Sequence, residues 1–247
     1  MNPLQELDHG IQQHLGETVF GLRELIHALI IAVVARGHAL LEGPPGLGKT
    51  LLAKSLATAL AGRFTRVQGT SDLMPADIIG THVFDEASRK FTLHPGPVFT
   101  DVLLFDEINR ASPKTQSALL QAMEERQVSL DRQTYRLPPA FLVIATQNPH
   151  EFEGTFPLPE SQLDRFMMRI EVAYPAGEDE RHVLEHYGTI ASVEGPAAGA
   201  AVGTTLGPEA IAAARACADR VHVANEILEY ILTLARASRE QAQIALG

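Results

Sequence analysis

Eight residues, Gly43-Pro44-Pro45-Gly46-Leu47-Gly48-Lys49-Thr50, constrain this chain more than any other stretch of it. They fit the pattern GxxxxGK[ST]. An apolar segment, Ala39–Glu42, leads into them, and a helix-forming segment, 51–60, follows. Glycines at these spacings let successive backbone N–H groups turn inward, while the helix behind directs its positive end at the same point. Such a loop cradles a polyphosphate, with Lys49 reaching the β- and γ-phosphates and Thr50 offering its hydroxyl to Mg²⁺. A strand, a glycine-rich turn and a helix in this order also form the entry unit of a parallel α/β sheet.

The rest of the chain fits that unit. Four more short strands are predicted at Phe64–Gln68, 102–105, 141–146 and 167–172. Three are nearly continuous apolar runs, as expected where helices cover both faces of a sheet. The last alternates partly, which suggests an edge. Leu22, Leu25, Ile26, Leu29, Ile30, Val33 and Val34 make one helical apolar face, with Gly37 as its stop. Ser112 and Pro113 start a helix that runs to about Arg126, with Ala118, Leu119, Ala122 and Met123 toward the sheet. Two segments break the alternation and read as inserted hairpins: 82–84 with 90–93, and 128–130 with 134–137. A Gly/Ala-rich stretch at 194–208 reads as a linker, followed by helical segments at 209–220 and 225–239.

Two further strand ends carry candidate chemistry. The run Val102-Leu103-Leu104-Phe105 delivers Asp106 and Glu107 at its carboxyl end, where ligands of open α/β sheets bind. Asp106 is placed to hold the Mg²⁺ shell and Glu107 to orient or deprotonate a water. The run ending Ala145-Thr146-Gln147-Asn148-Pro149 presents a neutral amide at a neighbouring tip, able to hold the attacking water without changing the local charge.

In this order the three strand ends resemble the Walker A, Walker B and sensor-1 elements of AAA+ ATPases. The stretches LLEGPPGLGKT, LLFDEINRASPKTQSALLQAMEERQV, FLVIATQNP and PLPESQLDRFMMRIEVAYP resemble the MoxR family more closely still. The resemblance implies a five-stranded parallel sheet of order 5-1-4-3-2 and a ring, usually hexameric, driven by Mg²⁺-ATP. It matches Glu107 to the catalytic glutamate and Asn148 to sensor 1. Arg165 matches an arginine finger that reaches a neighbouring subunit's γ-phosphate. Val19-Phe20-Gly21 matches the segment that packs on adenine, and the loop from Gly43 to Thr50, with Leu51 behind it, would hold the phosphates. Arg110 lies near the implied subunit edge. The hairpins fall where the family carries pore-facing inserts, so a client protein becomes their expected partner. Implied clients include metal- or cofactor-dependent enzymes and proteins with von Willebrand A domains.

The expected division is an α/β core at 1–190, a linker at 191–208 and a partial helical lid at 209–247. The family's sensor-2 arginine has no match before Ala245-Leu246-Gly247, so the lid reads as unfinished.

Composition narrows the alternatives. Twenty Lys+Arg against thirty Asp+Glu leave a net charge of −10, which disfavours a nucleic-acid motor that would bind by counterion release. A nucleotide-gated binding scaffold is the other alternative, disfavoured by the full Glu107–Asn148–Arg165 set. No NKxD motif supports a GTPase. Cys217 is the sole cysteine, and the ten histidines, of which His182 and His186 stand four residues apart, are not read as a metal site. The start MNPLQELDHG lacks the plan of a signal peptide, and the apolar run 28–35 is too short to span a bilayer, so a cytoplasmic setting is expected.

Overall fold

The computed structural model describes residues 1–87, 89–131, 133–149, 151, 153–175, 177–188 and 206–241. The chain begins with α1 (Pro3–Gly16), a helix the sequence reading did not foresee. Asn2 accepts the N–H of Gln5 at 2.9 Å while the Gln5 side chain accepts that of Asn2 at 3.1 Å, which closes a capping box. Only Leu7, Ile11 and Leu15 are fully buried on it, one residue per turn. Helix α2 (Arg23–Val34) then leads to β1 (Ala39–Glu42) and α3 (Lys49–Ala59), followed by β2 (Phe64–Gln68) and α4 (Pro75–Ile79).

The first hairpin is β3 (Gly80–Asp85) with β4 (Lys90–Pro95). After β5 (Val102–Asp106) come a 3₁₀ turn (Ile108–Arg110) and α5 (Pro113–Glu125). The second hairpin is β6 (Gln127–Leu130) with β7 (Gln133–Arg136). Strand β8 (Leu142–Gln147), α6 (Glu160–Leu163), β9 (Met168–Glu171) and α7 (Gly177–Tyr187) complete the α/β part. Helices α8 (Pro208–Ala218) and α9 (Asn225–Glu240) follow. Most of the expected linker, residues 191–205, lies outside the described residues, as does the terminal Ala245-Leu246-Gly247.

One sheet holds β2-β5-β8-β1-β9, all pairs parallel. Counted without the hairpin strands, this is the 5-1-4-3-2 order that the resemblance implied. The alternating strand is an edge, as its pattern suggested, and β2 is the other edge. The period of two splits the core in half. Leu41, Val102, Leu104 and Ile144 face α1, α2, α3 and α8 through Leu7, Leu29, Leu52 and Ile211. Leu40, Leu103, Phe105 and Val143 face α5 through Leu119, Leu120 and Met123. On α5 the sequence reading placed Ala118 on the sheet side, but it is only half-buried, while Leu120, Thr115 and Gln116 are buried.

The two hairpins are tied to each other. His82 Nδ1 lies 2.7 Å from the Asp131 carboxylate and its Nε2 lies 2.9 Å from the Tyr135 hydroxyl. Among the described residues, no helix is long and apolar enough to cross a membrane.

Candidate functional site

The loop between β1 and α3 leaves the carboxyl edge of the sheet with Gly46 at φ +87° and Gly48 at φ +74°. Both values lie in the left-handed region, where a side chain is disfavoured. The turn delivers Lys49 and Thr50 into the first turn of α3. Lys49 is almost fully buried, and its ammonium donates to the Gly43 carbonyl at 2.8 Å. Burial pulls its pKa below the ordinary lysine value, while Asp106 and Glu107 oppose that shift.

Strand β5 places Asp106 and Glu107 opposite this loop. One oxygen of Asp106 accepts the Thr146 hydroxyl at 2.6 Å, and the other accepts an Arg66 N–H at 2.7 Å. The Thr146 hydroxyl in turn accepts the Glu107 N–H at 2.9 Å. Glu107 itself is left-handed, at φ 55° and ψ 55°. This is a strained conformation for a non-glycine residue and costs about 1–3 kcal/mol. The neighbouring strand accommodates it: a Cβ at Gly69 would collide with the Glu107 carbonyl, so only glycine fits there. The Glu107 carboxylate accepts from Gln68 Nε2 at 2.7 Å and lies 3.2 Å from Arg110 Nε.

These groups line a polar cleft of about 270 Å³. Lys49 and Thr50 come from the loop, Arg66 and Gln68 from β2, Asp106 and Glu107 from β5, and Thr146 to Asn148 from the end of β8. Arg110 donates to Glu151 at 2.8 Å. That pairing, joined by a hydrogen bond from Asn148, holds the Glu151 carboxyl below the usual carboxylate range.

Beside the cleft lies an apolar pocket of about 500 Å³, which shares Gly46 and Gly48 with the cleft's lining. Val19, Phe20, Leu47 and Leu51 line it, as do Tyr174, Val183 and Leu184. Its wall is closed by α7, whose Tyr187 hydroxyl donates to the Thr18 carbonyl at 2.9 Å and whose His186 meets the Phe20 ring edge-on.

The structure therefore brings together Lys49, Thr50, Asp106, Glu107 and Asn148 in one cleft, with Val19, Phe20 and Leu51 in the pocket beside it. Pro45 lines the cleft, whereas Pro44 and Gly21 line neither space. Arg165 is not among the described residues lining the cleft. It sits in the turn after α6 and pairs with Glu124 of α5 at 2.9 Å, not with Asp164 or Glu160. The set also fits Mg²⁺ in donor chemistry, since a threonine hydroxyl and a carboxylate are the hard oxygens that this cation takes.

Arg66, Gln68 and Thr146 were missed from sequence. Their signal is positional: β2 pairs in parallel with β5 so that Gln68 lies opposite Asp106, and Arg66, two residues back, shares its face. That register follows from the sheet order and is invisible in the local pattern.

Comparison with known proteins agrees with this geometry. A family described as "ATPase family associated with various cellular activities (AAA)" matches residues 38–168. YeaC of Bacillus subtilis, itself uncharacterized, is 37% identical over 235 residues, covering 95% of this chain and 72% of YeaC. Chaperone MoxR1 of Mycobacterium tuberculosis is 46% identical over 170 residues, covering 69% of this chain but only 45% of MoxR1. A crystal structure of a presumed ATPase from Cytophaga hutchinsonii matches with a TM-score of 0.83 at 37% identity, over 96% of this chain and 71% of that one. Sheet order, cleft and relatives agree, and the chain belongs to the MoxR family of AAA+ ATPases.

Proposed function

We propose that the chain hydrolyses Mg²⁺-bound ATP and that the energy serves to remodel a client protein. The observation that carries the hydrolytic part is the convergence of Lys49, Thr50, Asp106, Glu107 and Asn148 on one cleft, with an apolar pocket beside it. Adenine would lie against Val19, Phe20 and Leu51. The N–H groups of the Gly43–Thr50 loop, with Lys49, would hold the β- and γ-phosphates in line for attack. Thr50 and Asp106 would hold Mg²⁺, which when bound neutralises charge on the phosphate oxygens.

Glu107 is the proposed general base. It lines the cleft together with Asn148, whose amide would orient the water. Arg165 pairs with Glu124 and does not line its own cleft, which supports a contact with the γ-phosphate of a neighbouring copy. This suits a closed ring, a hexamer in this reading, in which each subunit completes the next site. The two tied hairpins are the proposed contact for the client, with a von Willebrand A domain protein as an adaptor, in a cytoplasmic setting. MoxR1's name, chaperone, supports the client role.

Glu107→Gln tests the hydrolytic reading. It should bind ATP within a few-fold of the unaltered protein and lose about 10²–10⁴-fold in turnover. Unchanged turnover would overturn the assignment.

A further inference from the structure

Resting on that nucleotide reading, we propose that Arg66 is a resident counter-ion that holds the Asp106 oxygen meant for Mg²⁺ until nucleotide arrives. The two oxygens of Asp106 are used differently. Oδ1 accepts the Thr146 hydroxyl, which also accepts the backbone N–H of Glu107, so this side of the carboxylate is fixed within the protein. Oδ2 accepts Arg66 Nη2 at 2.7 Å, and both residues line the cleft. A divalent cation and a guanidinium cannot share that oxygen at close range without strong mutual repulsion. Metal entry therefore requires Arg66 to leave.

The pair is built to separate. The Arg66 side chain is 48% exposed against 17% for Asp106, so the pair is partly in water and the attraction is correspondingly weak. The displaced guanidinium already has a second acceptor, Gln68 Oε1 at 3.2 Å, and phosphate oxygens in the same cleft would offer more. Gln68 meanwhile donates to Glu107 at 2.7 Å. Movement of Arg66 is thus felt one residue from the proposed base. Arg66 is a positioning residue in this reading: it keeps the acidic pair neutralised in the empty cleft and sets how much Mg²⁺ is needed to load it.

The test measures binding without turnover. A ribose-labelled fluorescent ADP is titrated with Mg²⁺ in the unaltered protein, in Arg66→Ala and in Arg66→Lys. Manganese binding followed by electron paramagnetic resonance reads the metal directly. With the competitor gone, Arg66→Ala should need about three- to five-fold less Mg²⁺ for half-saturation, the factor expected of a partly exposed ion pair. The same variant should bind the labelled ADP more weakly in EDTA, because a cation near the phosphates has been lost. Arg66→Lys, which keeps the charge, should stay close to the unaltered protein on both measures. Opposite shifts with and without metal are not produced by simple loosening of the β2 edge. Nucleotide binding with an unchanged or raised Mg²⁺ midpoint in Arg66→Ala overturns the counter-ion role alone. Failure of the unaltered protein to bind nucleotide overturns the nucleotide reading, and the counter-ion role with it.

Discussion

The two ends of the parallel sheet are both hollow and both lined by arginine, yet they use their polar groups in opposite ways. At the carboxyl end, Arg66, Gln68, Asp106, Glu107 and Thr146 bond mainly to one another, across three strands. At the amino end the cavity is larger, about 730 Å³, and Arg36, Arg126 and Arg215 line it. There, however, Arg215 donates to the Val33 carbonyl at 2.7 and 3.0 Å and to that of Pro139 at 2.7 Å. Arg126 donates to the carbonyls of Phe141 and Arg36, and Arg36 pairs with Asp219. His38 accepts the Val143 N–H at 2.9 Å. Side chains bonded to backbone hold the fold in place, whereas side chains bonded to one another can be re-paired by a ligand, and Arg36–Asp219 is an exposed exception at the amino end. Cavity size does not separate the two ends; the identity of the bonding partner does.

That contrast can be broken at several points. The largest effect belongs to Arg165, which would act at the carboxyl end of a neighbouring copy. Arg165→Ala should lower turnover by about 10³-fold or more, the scale of arginines supplied in trans, with little change in melting temperature. Mixed with unaltered protein, it should depress activity more than in proportion to its fraction. A proportional fall would mean that sites are not shared.

At the amino end the expected loss is in stability instead. Arg215→Ala removes a charged donor from the buried Val33 carbonyl and from the part-buried Pro139 carbonyl, and bonds to a charged group contribute about 1.5–3 kcal/mol each. A loss of about 4 kcal/mol, or about 10 °C in melting temperature for a chain of this size, should follow. Affinity for labelled ADP should be unchanged in the folded protein. A weakened affinity at constant stability would show that the amino end is coupled to the cleft.

His38 gives the amino end a pH signature. Burial, with the nearby Arg126, pushes its pKa from 6.5 down to about 4, against the opposing pull of the Met123 carbonyl. The unfolded chain binds the proton more readily, so stability rises with pH between these values. The contribution is complete above about pH 6.5 and is lost as pH falls toward 4, a swing of about 3 kcal/mol. Urea midpoints across this range should show the slope in the unaltered protein and a shallower one in His38→Gln. Equal slopes would remove His38 as the cause.

The same distinction explains what could be read from the sequence. Lys49, Thr50, Asp106, Glu107 and Asn148 stand at the ends of short apolar runs, so local pattern alone delivers them to one edge of a sheet. Arg66 and Gln68 reach that edge only through the pairing of β2 with β5, which no local window contains. Helix α1 escaped notice because Leu7, Ile11 and Leu15 provide just one fully buried residue per turn, too thin a stripe beside the broad face of α2. The docking of α8 against α1 and α2 depends on Arg215 finding the end of α2, again a contact between distant segments.

Ser112 offers the smallest and most discriminating test, because it lies at the carboxyl end but is bonded as amino-end residues are. It caps α5 by accepting the Thr115 N–H, and it follows the 3₁₀ turn that carries Arg110. If location decided function, Ser112→Ala would impair turnover. If the bonding partner decides, the variant loses only a cap, about 1 kcal/mol or about 2–4 °C in melting temperature. Turnover per folded molecule should then match the unaltered protein. A fall in turnover without a fall in melting temperature would show that proximity to the cleft outweighs the bonding partner, and the contrast between the two ends would have to be redrawn by location.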